Sequence, residues 1–258
     1  MINIIKKIFK NKFLNNTSWL IFGKVAQMFL SFIISMITAR YLGPSNYGVI
    51  NYVHSYISFF TAICNLGLNS VIIKELIDRP NSQGETMGTV IGMRIISSIL
   101  SIISILSCIE IIFKNDKIYM VVAVLQSLTL FFNAFEMIEY WYQSKLMSKR
   151  SAIIGIIAYI CMSVYRIIIL IGQKSVEWFA FAVTLDNMVV AILLVVCYFK
   201  DGGQKLKFNP KLAKEILGKS HHFMWCSLMV AAHSEMEKRR LGSMIDDASD
   251  GYLSAALA

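Results

Sequence analysis

The chain has 258 residues, of which 56% are hydrophobic, and a formal net charge of +9. Its apolar residues stand in long blocks, whereas a soluble domain of this length keeps them in short periodic segments, because nearly every helix and strand needs a wetted face. An ordinary soluble fold is therefore excluded, and so are barrel strands, which are short and alternating. The predicted class is all-α, a polytopic membrane helix bundle.

From the N-terminus, Ile2 to Phe13 alternates Ile, Phe and Leu with lysines at helical spacing and is expected to lie in the membrane interface. The next apolar run is too long for a signal-peptide core and ends without a small-residue cleavage site, so it is expected to stay as the first membrane helix. Windows of about twenty residues give six spans, near Trp19 to Thr38, Val49 to Ile72, Met87 to Phe113, Ile118 to Tyr142, Ala152 to Gly172 and Phe179 to Phe199. A basic connection from Lys200 to Ser220 comes next, with Asp201-Gly202-Gly203 as a flexible turn and Asn209-Pro210 as a helix start. Phe223 to Ala232 is then apolar for too short a stretch to cross a membrane before the charged run Glu235 to Arg240.

These breaks predict an interfacial segment (1–16), a six-helix lobe (17–199), a basic cytoplasmic linker (200–222) and the incomplete start of a second lobe (223–258). A short internal repeat fits that division. Arg40-Tyr41-Leu42-Gly43 followed by Tyr47-Gly48 is echoed by Arg239-Arg240-Leu241-Gly242 followed by Gly251-Tyr252. Six spans between equivalent points make the two copies parallel repeats.

Positive charge is unevenly placed. With the N-terminus inside, the inner side receives Lys6, Lys7, Lys10, Lys12, Lys74, Arg79, Lys145, Lys149, Arg150, Lys200, Lys205, Lys207, Lys211, Lys214 and Lys219. The outer side holds Arg40, Lys114, Lys117 and Lys174. This is the positive-inside asymmetry, and it predicts a multi-pass protein with a cytoplasmic N-terminus. Lysines in short loops beside spans are accounted for by the inner leaflet, so the high pI gives no reason to expect nucleic acid as a partner.

Cys64, Cys108, Cys161, Cys197 and Cys226 are far apart, without a C-x-x-C pair or a His at ligand spacing, and read as small apolar fillers. The sequence has no Walker-type loop, no H-E-x-x-H, no G-x-S-x-G and no aspartate-rich metal motif. The expectation is a protein that is not an enzyme, with no catalytic residue, metal or cofactor.

Polar residues inside the spans fall on stripes. Lys24, Gln27, Ser31, Ser35 and Thr38 share one face of the first span, and Asn51, Ser55, Ser58, Asn65 and Asn69 repeat the arrangement in the second. Arg94, Ser97, Ser101 and Ser104 mark the third; Gln126, Thr129, Asn133, Glu136, Tyr140 and Gln143 mark the fourth. Small polar residues are common at helix contacts in lipid, and for the serines that plainer reading is preferred. The charges Lys24, Arg94, Glu136, Glu139, Arg166 and Asp186 are different, since each costs roughly 3 kcal/mol at mid-membrane unless it pairs or meets water. Two readings stay open: ion pairs of Arg94 or Arg166 with Glu136 or Asp186 that hold the bundle together, or a water-filled cavity lined by the stripes.

Several blocks occur together in order: Asn16-Thr17-Ser18-Trp19-Leu20-Ile21-Phe22-Gly23-Lys24, Ala39-Arg40-Tyr41-Leu42-Gly43-Pro44 with Tyr47-Gly48, Leu66-Gly67-Leu68, Lys74-Glu75-Leu76-Ile77, and Leu241-Gly242-Ser243-Met244 with Gly251-Tyr252-Leu253-Ser254-Ala255-Ala256. With them the chain resembles the Wzx-type oligosaccharide flippases of the multidrug, oligosaccharidyl-lipid and polysaccharide exporter superfamily. The resemblance implies a MATE-like transporter fold of two six-helix lobes around a cavity that opens to each side in turn. This chain would supply one lobe and the start of the second.

The implied activity is translocation of undecaprenyl-diphosphate-linked oligosaccharide across the bacterial cytoplasmic membrane, for surface polysaccharide such as O-antigen lipopolysaccharide. Membrane lipids and polysaccharide polymerase machinery are the further partners implied. On this reading Lys24, Arg94 and Arg166 bind phosphate oxygens, while Gln27, Asn51, Asn65 and Asn133 take sugar hydroxyls. Glu136 and Asp186 would be counter-ions or ligands of a coupling cation. Because the chain departs from the family by ending after little more than one lobe and by its Glu235 to Arg240 run, it is expected to be a truncated form, inactive alone. The alternatives are a cation-coupled small-molecule exporter, which would favour acidic and aromatic lining, and a non-transporting membrane scaffold.

Overall fold

The computed structural model describes residues 12–113 and 116–244, and among them there are helices and turns but no strand. The helices are α1 (Lys12–Cys64), α2 (Ile72–Asp78), α3 (Gln83–Ile112), α4 (Lys117–Asn133), α5 (Met137–Ser144), α6 (Ser148–Ile171), α7 (Val176–Lys200) and α8 (Pro210–Met244). Single 3-10 turns at Leu68–Ser70, Pro80–Ser82 and Ala134–Glu136 join some of them. The basic N-terminal segment up to Asn11 and the Gly251-Tyr252 end of the repeat lie outside the described residues.

Five helical stretches are long and apolar enough to cross a membrane: Ile21–Cys64, Pro80–Ile112, Lys117–Ser144, Ser148–Ile171 and Val176–Lys200. The first holds two of the predicted spans. Its 44 residues would reach about twice the thickness of a hydrocarbon core if straight. They break at Gly43, whose φ of 71° and ψ of 171° are non-helical. Pro44 has no N–H to continue the ladder and disfavours the helical region for the residue before it, and glycine tolerates the positive φ that results. The arms fold back on one another, since Ser35 Oγ lies 2.8 Å from Tyr47 Oη, whereas the twelve intervening steps of a straight helix would separate them by about 18 Å. The protein is thus a multi-pass bundle, and the fold at Gly43 makes six crossings out of five helical stretches.

The loops gather at two ends. At one, Tyr41 Oη donates to the Lys174 carbonyl at 3.4 Å, and the Tyr52 ring meets Phe113, which stacks on Tyr119. The other is the basic end, where the Lys149 ammonium sits over the Trp19 ring and Arg150 pairs with Asp201. The apolar core of that end joins Leu68, Ile72 and Leu76 to Met87, Met137, Trp141, Tyr198 and Ile216, so the start of α8 is part of the packed lobe.

The connection after α7 is held in place by α3. Gly84, Gly88 and Gly92 recur every fourth residue and open a groove on one face of that helix. A Cβ on Gly84 would come within 2.5 Å of the Lys205 carbonyl oxygen, one on Gly88 within 2.6 Å of the Lys207 carbonyl oxygen, and one on Gly92 within 2.7 Å of the Phe208 ring. The Lys207 N–H donates to the Gly84 carbonyl at 3.2 Å, Gln204 Oε1 accepts from the Gly84 N–H at 2.9 Å, and the Asn209 N–H donates to Thr89 Oγ1 at 3.0 Å.

A four-charge clasp secures the first turns of α8. Lys219 Nζ lies 2.6 Å from Glu75 and 2.9 Å from Glu215. Arg79 reaches Glu75 at 3.3 Å and Glu215 at 2.5 Å. Hydrogen bonds donated to Glu75 and Glu215 hold the Lys219 ammonium above its usual range, and the bond from Lys219, with Arg79, holds the Glu215 carboxyl below its own. Lys219 and Glu215 therefore stay charged on both sides of neutral pH.

Gly88→Ala is expected to cost about 1–3 kcal/mol, because its methyl group meets backbone that cannot move without unseating the linker. Gly48→Ala, with open space around it, is expected to stabilise by up to about 1 kcal/mol through helix propensity. Thermal unfolding in detergent separates the two. Equal midpoints would mean that the linker is not seated on α3.

Candidate functional site

The site builds from a break in the fourth crossing. The helix that begins at Lys117 gives way to a 3-10 turn at Ala134–Glu136 before α5 resumes, and such breaks within a span re-aim backbone carbonyls and side chains. Arg94 on α3 uses one of them, its Nη1 donating to the Asn133 carbonyl at 3.1 Å. Arg94 is buried, only 4% exposed. Glu136, Tyr140 and the Cys64 thiol all lie within electrostatic reach of its guanidinium. Lys24 acts on both Glu136 and Glu139 from the first arm of α1. Two cations and two carboxylates thus face one another across three crossings, with formal charges that cancel.

Unpartnered amides stand beside these charges. Asn133 Oδ1 and Asn65 Oδ1 are buried without a hydrogen-bond partner, and Asn65 follows Cys64, the residue whose thiol is felt by Arg94. Deeper in the lobe both amide atoms of the fully buried Gln126 are likewise unmatched. An unmatched buried polar atom costs about 1–3 kcal/mol, so such atoms mark places where a water or a polar ligand belongs.

The structure brings Lys24, Arg94, Asn133 and Glu136 together and adds Glu139 and Tyr140, one helical turn and one residue more beyond Glu136. Lys24 is exposed on α1 and belongs to no ion pair among the described residues. Arg166 and Asp186 form their own ion pair, across α6 and α7. Gln27 lays its amide against Gly155 where the first arm packs on α6. Asn51 stands apart, next to Tyr52 at the far end of the bundle.

Of the stripe serines, Ser55 and Ser104 donate to their own helix, while Ser35 pairs with the Tyr47 hydroxyl and Ser101 accepts from the Cys64 thiol. Ser104, Ser163 and Thr61 each donate to the carbonyl four residues back, as expected of small hydroxyls in lipid. Ser101 of the predicted α3 stripe is buried, and Ser98, rather than the predicted Ser97, is buried with it, its hydroxyl meeting the Arg94 and Leu130 carbonyls, both at 2.7 Å. A hollow of about 370 Å³ opens at the other end, lined by Tyr41, Asn46, Gln173 and Lys174 among others; none of the predicted site residues line it.

Residues 13–257 match the family described as polysaccharide biosynthesis protein. The chain belongs to that family. No curated protein and no solved structure matches it. The match runs through both arms of α1, the charged cluster at the α4 break and α8, so the whole cluster lies within the family's extent, as does the resemblance to Wzx-type flippases.

Proposed function

We propose that the protein flips an undecaprenyl-diphosphate-linked oligosaccharide outward across the bacterial cytoplasmic membrane, with its N-terminus and basic end in the cytoplasm. The observation that carries this reading is the Lys24, Arg94, Glu136 and Glu139 cluster at the broken fourth crossing, flanked by unmatched amides. Its cations offer charge-assisted hydrogen bonds to diphosphate oxygens, and Asn65 and Asn133 offer amide oxygens to sugar hydroxyls. Since the four charges cancel without forming an ion pair among the described residues, the diphosphate enters by competing with the carboxylates for the cations. That exchange gives a low-cost route in and out, which a carrier needs more than tight binding. α8 then leads the chain from this lobe toward a second one. The lysine-rich loops on one end support the orientation through the positive-inside rule.

The test is flipping in proteoliposomes with a fluorescent undecaprenyl-diphosphate oligosaccharide, scored by protection from an impermeant quencher. With a second lobe supplied to complete the carrier, protein-dependent exchange between leaflets is the expected result. Exchange no faster than in protein-free vesicles would overturn the proposal.

A further inference from the structure

We propose that the linker from Lys205 to Lys214 is a docking strip for anionic phospholipid headgroups. The inference begins with the face of α3 on which the linker lies. Continuing outward from Gly84, Gly88 and Gly92, that face carries Ile96, Leu100 and Ile103, exposed by 55%, 62% and 58%. This run of large aliphatic residues is interrupted only by Ser104, whose hydroxyl turns back onto the Leu100 carbonyl at 2.9 Å, and such a face is solvated by acyl chains. The linker therefore sits directly beneath lipid.

Its depth is set by helix length. About twenty residues of helix cross the hydrocarbon core, and counting back from Ile112 at the far end of α3 reaches Met93, beside Gly92. Phe208, which packs on Gly92 and is 51% exposed, is thus placed at the boundary between acyl chains and headgroups. Lys205 and Lys207 lie further along the groove toward the aqueous side.

Backbone geometry directs the charges outward. In the extended stretch, exposed Lys205 and Lys207 alternate with half-buried Leu206. Once α8 begins, Leu212, Ala213 and Ile216 are buried while Lys211 and Lys214 remain exposed. None of these four lysines belongs to an ion pair among the described residues. The neighbouring cations are engaged: Arg79 and Lys219 in the clasp, Arg150 with Asp201, and Lys145 and Lys149 over Trp141 and Trp19. Along the linker this leaves an array of four uncommitted ammonium groups, fixed at headgroup level by the glycine groove and the clasp, while Lys74 and Lys200, likewise outside any ion pair among the described residues, lie off it. Such an array matches the negative phosphates of an anionic leaflet, at a strength that makes each lysine near the surface worth about fivefold in binding. The strip is independent of the flipping cluster and does not rest on the transport reading.

The wild-type protein in lipid nanodiscs, where both membrane faces are open to reagent, provides the test. Lysine acetylation is followed site by site by mass spectrometry in discs of phosphatidylcholine with and without phosphatidylglycerol. With phosphatidylglycerol, Lys205, Lys207, Lys211 and Lys214 are expected to react about fivefold more slowly, Lys74 and Lys200 to change much less, and high salt to remove the difference. Equal slowing at all six lysines would mean a diffuse surface potential only, and no slowing would mean no lipid contact; either overturns the strip. As a second measurement, replacing the four lysines with Gln is expected to reduce the phosphatidylglycerol retained on the purified protein, and unchanged retention would count against the proposal.

Discussion

Asp186→Leu is expected to destabilise the protein by about 3–5 kcal/mol, the cost of stranding a partner of a desolvated ion pair. Arg166 and Asp186 meet across α6 and α7 with side chains 18% and 20% exposed, both within crossings, where an unpaired charge is costly in lipid. Arg166→Leu should cost a similar amount. The double variant should recover most of the loss, because two leucines of comparable volume in lipid leave nothing uncompensated. Chemical unfolding of the single and double variants in detergent measures the coupling. If the double variant is no more stable than either single one, the pair does not hold α6 to α7. The same double variant also tests the substrate-binding role expected of Arg166. Recovered stability with normal flipping makes the pair purely structural, whereas recovered stability with flipping lost gives the pair a part in transport.

The crossings are legible in the sequence because lipid forces apolar residues into long blocks, and the six predicted spans coincide with five helical stretches once α1 is folded at Gly43-Pro44. Intramembrane charges are equally visible, since each is anomalous in its surroundings. Their partners are not. Arg94 could have met Glu136 or Asp186; the choice is made by the 3-10 break at Ala134–Glu136, which no propensity in Asn133-Ala134-Phe135-Glu136 announces. Glu139 stands one turn from Glu136 and is plain among the charges, but only the fold puts Lys24 within reach of both.

The linker is the least legible part. Gly84, Gly88 and Gly92 carry a recognisable small-residue spacing, yet hydropathy starts the span at Met87, which leaves Gly84 outside it. The occupant of the groove comes from more than a hundred residues later in the chain, and no local pattern links the two. The clasp likewise joins Arg79 to Glu215, a pairing set by the core that gathers Leu76 and Ile216 into one cluster. Residues of that kind read singly as a solvated basic loop.

Lys24→Gln is expected to weaken binding of the lipid diphosphate by roughly ten- to a hundredfold, the range for losing a hydrogen bond to a charged group. The plainer role for this lysine is to extend its long stem toward the headgroups, and its exposure on α1 would permit that. The cluster separates the two roles. Lys24 faces Glu136 and Glu139 electrostatically, so an incoming diphosphate competes with those carboxylates for it. Glu139→Gln removes one competitor and is therefore expected to strengthen diphosphate binding, while Lys24→Gln weakens it. A headgroup-seeking Lys24 predicts no change from either substitution. Binding of undecaprenyl diphosphate to the protein in nanodiscs, at matched folding and insertion, gives the answer: opposite shifts from the two variants support the diphosphate role, and unchanged affinity in both removes Lys24 from the site.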